Sequence, residues 1–410
     1  MLHKSKIIND PLYGLINIDN EKIFGLIQHP YFQRLKNIHQ LGFSYFVYPG
    51  ATHSRFQHSI GAMYLMQNAL QTLSQKGIPI SEEEKEAALL AILLHDIGHL
   101  AFSHALEYFF VPDASHEQFS KLIIRQIHKT SQIDLSQTLD IINDRYKKHF
   151  LHQLVSSQLD VDRLDYLNRD SFYTGVSEGV IGSERIIKML YIIDNQLVAE
   201  EKAIYSIEKF IISRRLMYWQ VYLHKTVHVA EILMINTLKR AKSLFTQGKL
   251  SFISPSLQLF FEKELYIADF ENNTTLLETY LNIDDIEIWY AVKMWQHEQD
   301  KILSQLSRRL FSRDLFCIKI SDTPFEVSYI THIKEVTKKY FSLNDEEVDF
   351  FVAAGELENR AYNPKTESIQ ILTKNGDVVP LEQISDHLNH RTLSQSVSKY
   401  FICYPKQVPI

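Results

Sequence analysis

The longest unbroken run of apolar residues in the sequence, residues 87–94, leads directly into His95 and Asp96. A helix over this run would have no polar face, so it must be buried on all sides. Upstream, Ser81 and Glu84 have the spacing of a capping box, which predicts that the helix begins there. The histidine and the aspartate are therefore expected in the last turn of a central helix.

Two further histidines, His99 and His104, follow within nine residues of His95. Gly98 is a helix-stop signal, so the residues after it can fold back over the end of the helix. Ligand-capable side chains beside such an apolar segment are costly to bury unless something satisfies them. A metal ion would do so. The alternative is an ordinary core histidine with Asp96 as its hydrogen-bond partner.

Polar residues form a stripe along a further predicted helix, at residues 159–170. Asp162, Tyr166 and Asp170 recur at every fourth position, so they share one face of that helix. Arg163 precedes Tyr166 by three residues and joins the same face. A stripe that mixes carboxylate, phenol and guanidinium groups around a buried apolar face is typical of a binding site.

Another predicted helix supplies a further imidazole, because Ser54 and Gln57 form a second capping box and place His58 one turn into that helix. Two imidazoles and two carboxylates suit a divalent Mn, Fe, Ni, Co, Zn or Mg ion rather than a thiolate site. On an octahedral ion they leave positions open for water and a phosphate oxygen. The predicted metal ligands are His58, His95, Asp96 and Asp162.

Hydrophobic spacing predicts a mainly α fold, with a helical domain over residues 1–250 and an α+β region over residues 251–410. Asp194-Asn195 and Asn375-Gly376 predict two hairpins. The other predicted elements are helices at 31–41, 54–75, 81–96, 117–129, 134–169, 203–245, 255–261, 284–295, 299–310 and 326–341, and strands at 15–18, 315–320 and 348–353.

Composition adds few constraints, since 45% apolar and 22% charged residues describe an ordinary soluble globular protein. A formal net charge of −6 argues against nucleic-acid binding driven by overall charge. Two cysteines without metal-type spacing indicate a reducing compartment. The N-terminus has no apolar core of a signal peptide, and a run of eight apolar residues is too short to span a bilayer. We therefore expect a cytoplasmic protein without a membrane partner.

The order of the candidate ligands, H, then HD, then D, resembles that of the HD-domain metal-dependent phosphohydrolases. Successive blocks are similar to the dNTP triphosphohydrolases that join a sterile alpha motif to an HD domain in animals. The resemblance covers roughly residues 7–235, and a weaker similarity extends over residues 313–316. The chain has no room for the extra N-terminal module. It implies an HD-domain helical core with a smaller α+β C-terminal region. The blocks are RLKNIHQLG, YPGATHSRFQHSIGAMYL, LLHDIGHLAFSHALE, SHEQF, LDVDRLDYLNRD and YLHK.

The reaction that this resemblance implies is attack of water on the α-phosphorus of a dNTP, which releases a deoxynucleoside and inorganic triphosphate. A divalent ion is the expected cofactor, with additional Mg²⁺ on the substrate phosphates as a candidate. Arg214, Tyr218, Tyr222 and Lys225 would line one helical face. The resemblance assigns phosphate and sugar to Arg55, Arg163, Tyr166, Asp170 and Arg214, and places Gln40, Leu41 and Tyr222 near sugar or base.

Protonation of the departing 5′ oxygen requires an acid, and we expect His104 in that role. Glu107 lies three residues further on and would orient His104 and raise its pKa. His99 and His116 are expected to contact phosphate. For His116 alone, a loop histidine beside a helix N-terminus is the alternative.

Animal relatives in the resembling family bind a guanine nucleotide between subunits. This sequence retains four of those positions, which makes a homodimer or homotetramer with a regulatory nucleotide at the interface our expectation. Gln28, Lys36 and Cys317 replace an aspartate, an arginine and a lysine, which argues against guanine-specific activation. The retained residues are Asn9, His224, Lys225 and Arg313.

Two other functions remain open from the sequence. One is a different HD phosphohydrolase, such as a 5′-nucleotidase or a guanosine tetraphosphate hydrolase, although RLDYLNRD with Arg214 suits a triphosphate better. The other is a nucleotide-sensing or single-strand nucleic-acid-binding protein, which intact ligands and catalytic histidines argue against.

Overall fold

Helices dominate the computed structural model of the protein, which describes residues 6–359, 368–385 and 397–409. The first part of the chain contains β1 (Lys6–Asp10), β2 (Gly14–Ile18), α1 (Glu21–Gln28), α2 (Pro30–Gln33), α3 (Arg55–Gln75), α4 (Glu82–Leu94), α5 (Glu107–Phe110), α6 (His116–Thr130), α7 (Ser136–Ile142), α8 (His149–Val155), α9 (Val161–Thr174), α10 (Ser183–Lys188), β3 (Leu190–Ile193), β4 (Gln196–Glu200), α11 (Ile204–Met217) and α12 (Lys225–Thr246). None of the described helices combines the length and hydropathy needed to cross a bilayer.

The second part of the chain continues with helices before it turns to mixed structure. It contains α13 (Pro255–Glu262), α14 (Ile267–Phe270), α15 (Thr274–Leu281), α16 (Asp285–Trp295), α17 (Lys301–Ser312), β5 (Cys317–Ser321), α18 (Val327–Phe341), β6 (Ala353–Asn359), β7 (Gln370–Leu372), β8 (Val378–Pro380), α19 (Leu381–Ile384) and β9 (Val397–Tyr404). Short 3₁₀ segments lie at Arg34–Asn37, Gly42–Phe46, Ser103–Leu106, Ser177–Gly179, Glu201–Ala203 and Val348–Phe350, and a π-helical turn at Tyr218–Tyr222. The mainly α prediction with a smaller α+β C-terminal region is confirmed.

Helix α3 packs against both α4 and α9 at the centre of the fold. The apolar half of α4 is buried almost throughout, as predicted. The capping box at its start is present, because the Glu84 amide donates to Ser81 Oγ at 3.2 Å and the Ser81 amide donates to Glu84 Oε2 at 2.9 Å. The first turns of α3 and α9 meet the other end of α4, where His95 is the C-cap residue.

Gly98 has a different role from the predicted one. Helix α4 already ends at Leu94, and the φ of Gly98 is not positive. A Cβ on this glycine would lie 2.2 Å from His116 O and 2.4 Å from the Ser120 amide nitrogen. Glycine is thus required here because the first turn of α6 approaches the backbone closely.

The helix predicted around residues 31–41 is right only as far as Asn37. The chain forms α2 and one 3₁₀ turn, and it becomes extended at Ile38 with φ −118° and ψ 112°. The Gln40 amide then donates to His53 O at 3.0 Å, and His39 forms a β-bridge with Ser54. A long-range backbone contact has therefore replaced the helix.

The helical character predicted for residues 134–169 is present, but it is divided among three helices, α7, α8 and α9. Asp144, with φ 54°, lies in the left-handed region between the first two. Ser156 is extended after α8. Asp160 then caps α9 by accepting from the Arg163 amide at 2.8 Å, so a new helix begins at that point.

Both predicted hairpins are confirmed. Asp194 and Asn195 have φ values of 49° and 65° and join β3 to β4, as a two-residue turn with both residues left-handed requires. The hairpin about Asn375 and Gly376 joins β7 to β8. Strand β7 pairs in parallel with β4, so this hairpin extends the first sheet to four strands in the order β3-β4-β7-β8.

The C-terminal region divides its apolar residues between two clusters. Helices α13 to α17 contribute to the same hydrophobic core as α3 and α4. Helix α18 and the sheet β5-β9-β6 enclose a small separate cluster around Ile333 and Ile402. The strand predicted at 348–353 is wrong, because Val348–Phe350 is a 3₁₀ turn and the strand begins only at Ala353. A domain boundary near residue 250 stays a prediction.

Candidate active site

Three of the four predicted metal ligands form one cluster, in which His58 is buried and His95 and Asp162 are partly buried. One ligand atom from each of His58, His95 and Asp162 lies within 4.8 Å of the other two. The Asp162 Oδ1 atom is 3.0 Å from His58 Nε2 and 3.5 Å from His95 Nε2. Neither Nε2 atom has a partner with hydrogen-bond geometry in the described part of the chain. Two buried ring nitrogens directed at one carboxylate fit a metal ion.

The other nitrogen of each ring has a fixed partner. His95 Nδ1 lies 2.6 Å from Ile92 O, and a carbonyl oxygen only accepts, so Nδ1 carries the hydrogen. His58 Nδ1 lies 2.8 Å from Asp165 Oδ2, which has the same consequence. Each Nε2 atom therefore faces the cluster with its lone pair, or with a second proton. This arrangement is the usual one for metal-binding histidines.

The fourth predicted ligand, Asp96, lies at the edge of the same cluster. Its carboxylate oxygens are 3.3 Å from His95 Nε2 and 3.6 Å from His58 Nε2. Arg55 Nη1 donates to Asp96 Oδ2, and Arg55 Nε donates to Ser103 Oγ at 2.8 Å. Arg55 was predicted to bind phosphate, and in this structure it also fixes a candidate metal ligand.

Within the cluster, the carboxylates raise the pKa values of the imidazoles, and the imidazoles lower the pKa of Asp162. Burial lowers the pKa of His58, but Asp162 and Asp165 more than offset this effect and raise the pKa to about 10. Burial likewise lowers the pKa of His95, and Asp96 and Asp162 raise it above the ordinary value. Burial raises the pKa of Asp162, whereas the two histidines hold it well below its usual range. An ion that binds here must displace protons.

Sequence reasoning missed a buried ion-pair network behind the cluster. Arg169 donates to both Asp165 oxygens, at 2.9 and 3.0 Å, and to Asp10 Oδ2 at 2.9 Å. A Cβ on Gly61 would lie 2.0 Å from Arg169 Nη2 and 2.2 Å from Asp165 Oδ1, so only glycine leaves room for the pair. The network fixes His58 through Asp165. The signal in the sequence was the i, i+4 spacing of Asp165 and Arg169 with a glycine three residues after His58.

Three more histidines form a second cluster next to the first. The rings of His99 and His116 are stacked with centroids 3.8 Å apart, and His104 meets His99 edge-on at 4.8 Å. Glu107 accepts from both outer rings, since its oxygens lie 3.0 Å from His104 Nδ1 and 2.6 Å from His116 Nδ1. Burial raises the pKa of Glu107, but these two histidines hold it well below the usual range. The predicted pairing of His104 with Glu107 is thus present as a contact.

A cavity of about 610 Å³ opens beside these clusters. All eight residues predicted to contact substrate line it, together with two candidate metal ligands and the three histidines of the second cluster. The cavity also continues along the first turns of α12, past His228 and Glu231 to Ile235. The eight lining residues predicted from the sequence are Gln40, Leu41, Arg55, Arg163, Tyr166, Asp170, Arg214 and Tyr222.

Two guanidinium groups in the cavity have unused hydrogen-bond capacity. The Nε atoms of Arg163 and Arg214 are buried and lack a partner within the described residues. Arg163 Nη1 donates to Asp160 Oδ2, whereas Arg214 Nη1 donates to the neutral Gln158 Oε1 at 3.1 Å. No carboxylate of the described chain forms an ion pair with Arg214. A buried cation without a counter-charge favours an anionic ligand.

The predicted sugar-contacting carboxylate is held from two sides. Tyr222 donates its hydroxyl to Asp170 Oδ2 at 2.8 Å, and His53 Nε2 lies 2.8 Å from Asp170 Oδ1. His53 is buried and stacks on Tyr173 with ring centroids 4.5 Å apart. Nothing in the local sequence pattern around His53 predicts this contact.

One predicted helical face does not continue as expected. Arg214, Tyr218 and Tyr222 line the cavity, but Lys225 does not. The π-helical turn ends at Tyr222, and α12 begins anew at Lys225 with His224 as its N-cap. The change of direction places Lys225 on the surface.

The four candidate regulatory residues are not joined in this structure. Asn9 lies exposed in β1, opposite Leu15. His224 Nδ1 accepts from the Thr226 amide at 3.2 Å, and Arg313 Nε donates to Phe46 O at 2.7 Å. Among the described residues, no hydrogen bond, ion pair or ring contact links any two members of the group. Their regulatory role stays a prediction.

Known proteins are similar to this chain in both sequence and fold. The HD domain family profile matches residues 55–170, and that of the HD associated region matches residues 181–251. A crystal structure of a phosphohydrolase from Bacteroides thetaiotaomicron superimposes with a TM-score of 0.94 at 47% identity, over 98% of this chain and 100% of that one. The uncharacterized protein YwfO of Bacillus subtilis is 34% identical over 400 residues, which cover 94% of this chain and 88% of YwfO.

A more distant similarity concerns an enzyme of stated activity. The chain is 27% identical over 352 residues to the deoxynucleoside triphosphate triphosphohydrolase SAMHD1 of Gallus gallus, which covers 74% of this chain and 55% of that protein. The matched HD profile spans His58, His95, Asp96 and Asp162. The chain therefore belongs to the HD-domain phosphohydrolase family, whose members bind divalent metal ions.

Proposed function

We propose that this protein is a metal-dependent dNTP triphosphohydrolase, which converts a dNTP and water into a deoxynucleoside and inorganic triphosphate. The observation that carries the proposal is the juxtaposition of the candidate metal-ligand cluster with Arg163 and Arg214. Their unpartnered guanidinium nitrogens lie in the same cavity as Asp162. A triphosphate chain supplies the anionic oxygens that such donors bind best.

The metal ligands in this proposal are His58, His95, Asp96 and Asp162. These residues would hold a divalent ion, which would supply Lewis acidity toward a phosphoryl oxygen and toward water. Arg163 and Arg214 stabilise charge on the phosphates. Asp170, fixed by Tyr222 and His53, accepts a hydrogen bond from a sugar hydroxyl.

His104 protonates the leaving 5′ oxygen in this scheme. Glu107 accepts from Nδ1 of His104, so Nε2 is the atom that delivers the proton. The side chain of His104 is 65% exposed, which allows it to reach a substrate in the cavity. His99 and His116 complete the surface against which the phosphates bind.

Product analysis tests the proposal. The purified protein is incubated with Mn²⁺ and a panel containing the four dNTPs, the four ribonucleotides, nucleoside monophosphates and guanosine tetraphosphate. We expect deoxynucleoside and inorganic triphosphate from the dNTPs. Orthophosphate from monophosphates would favour a 5′-nucleotidase, and pyrophosphate from guanosine tetraphosphate would favour the other alternative; either pattern, without triphosphate, refutes the proposal.

A further inference from the structure

A buried carboxylate of the C-terminal region holds two segments of the cavity wall from behind. Asp285, the first residue of α16, is 2% exposed and does not line the cavity. We propose that Asp285 is a positioning residue, which fixes the segments that present Gln40 and His104 to the substrate. The roles of Gln40 and His104 rest on the proposed function, whereas the contacts that hold their segments do not.

The two oxygens of Asp285 bind the backbone of two different segments. Oδ1 accepts a hydrogen bond from the Phe102 amide at 2.6 Å. Oδ2 accepts from the His39 amide at 3.0 Å and lies 2.5 Å from His39 Nδ1, which donates to the ionised carboxylate. Gln40 follows His39 directly, and His104 follows Phe102 by two residues. One carboxylate therefore ties together the segments that carry Gln40 and His104.

The backbone at Phe102 requires such support. Phe102 and Ser103 both have a φ of 56°, in the left-handed region that residues other than glycine rarely adopt. A strained backbone persists only where its surroundings hold it. The Phe102 ring stacks on Phe43 with centroids 4.3 Å apart and meets Trp289 edge-on at 5.9 Å. Trp289 lies one turn after Asp285, so α16 supports both the amide and the ring of Phe102.

The earlier part of the His104 loop is held from the same region. Arg34 donates to His99 O at 2.6 Å and to Leu281 O at 2.9 Å. Leu281 is the last residue of α15, four residues before Asp285. The end of α15 and the start of α16 thus fix the segment 99–104 at two points. This places the C-terminal helices behind the cavity as its support.

Hydrogen exchange of the full chain, measured by mass spectrometry, tests the positioning without reference to activity. Asp285→Asn keeps the shape of the side chain, but an NH₂ group must then face the amide of either Phe102 or His39. We expect faster exchange in residues 38–41 and 101–104, and unchanged exchange in α3 and α9. Asp284→Asn is the matched control, because Asp284 caps α16 through the Glu287 amide at 2.9 Å and binds no backbone group of either segment.

A double-mutant cycle tests whether Asp285 acts through His104. Asp285→Asn should lower kcat on dNTPs about 10²-fold, because a misplacement of about 1 Å at a reacting group has an effect of that size. In His104→Ala the same substitution should lower kcat much less, since the group that it misplaces is absent. Asp284→Asn should leave kcat unchanged in both backgrounds.

Two results would overturn the positioning role. One is unchanged exchange in both segments, or faster exchange throughout the chain, in Asp285→Asn. The other is an equal loss of kcat with and without His104, which is the result expected of general destabilisation. Local exchange as expected, with no triphosphate released from any dNTP by the natural protein, would refute the proposed function and support the hold of Asp285 on the two segments.

Discussion

Arg55 and Asp170 in the cavity are each held by two side chains, whereas the candidate regulatory residues lie mostly on the surface. Arg55 is fixed by Asp96 and Ser103, and Asp170 by two further side chains. By contrast, Lys225 is exposed, and Arg313 has one hydrogen bond to a backbone oxygen. A catalytic site can be completed within one chain. A nucleotide site between subunits needs a second chain to bring its residues together.

The largest effect on activity is expected from the substitution of a candidate metal ligand in the cavity. Asp162→Asn should lose the bound ion and the activity together, because the change removes a ligand carboxylate and leaves His58 and His95 without it. Elemental analysis and turnover on dNTPs measure both quantities. Asp322→Asn, a change to an exposed aspartate, should alter neither. Full metal occupancy in Asp162→Asn would contradict the assignment.

His104→Ala should keep the bound ion and substrate binding but lower kcat by about 10²–10⁴, the usual contribution of a positioned acid. Steady-state kinetics at saturating dNTP measure the effect, with His149→Ala as the control for loss of a partly exposed imidazole. Unchanged kcat in His104→Ala would transfer the role to His116 or His99.

Arg169→Met should destabilise the fold by about 3–5 kcal/mol, because it leaves the buried Asp165 and Asp10 carboxylates without their cation. Urea unfolding of the metal-free chain measures the free energy of unfolding. Arg185→Met, at an exposed arginine, should cost less than about 1 kcal/mol. An equally small cost for Arg169→Met would mean that the network does not support the site.

The sequence predicted the polar face of α9 well, because its residues follow the helical period and its neighbours contain recognisable capping boxes. It did not reveal Asp165 and Arg169. An aspartate and an arginine four residues apart have the spacing of an ordinary surface pair, and only the space beside Gly61 shows that this pair is buried. Lys225 was misplaced for a related reason: local spacing cannot foresee a π-helical turn stabilised by tertiary packing.

Long-range contacts also account for the wrong secondary structure. The segment at 31–41 has good helical spacing, yet Gln40 bonds to His53 and the chain becomes extended. Such a competition is decided by the distant segment around His53 and Ser54, which the local pattern does not contain. The candidate metal ligands were easier to single out, because each lies within a short motif on or beside a buried helix, and three of them come together in the structure.

The smallest effect is expected from substitutions of the candidate regulatory residues on the surface. Light scattering with and without each dNTP and GTP should detect a homodimer or homotetramer that nucleotide stabilises. Lys225→Ala and Arg313→Ala should weaken that response but leave the metal site intact, because neither residue lines the cavity. Lys249→Ala is the control for loss of an exposed charge. A strict monomer with full activity under all conditions would remove the regulatory site from this account.

The central claim is that water attacks the α-phosphorus of a dNTP at the His58, His95, Asp96 and Asp162 centre. Turnover in water enriched in oxygen-18, followed by mass spectrometry of the products, tests it most directly. We predict one labelled oxygen in the inorganic triphosphate and none in the deoxynucleoside, with no labelled product from Asp162→Asn. Label in orthophosphate or pyrophosphate, or in the deoxynucleoside hydroxyl, would contradict the claim.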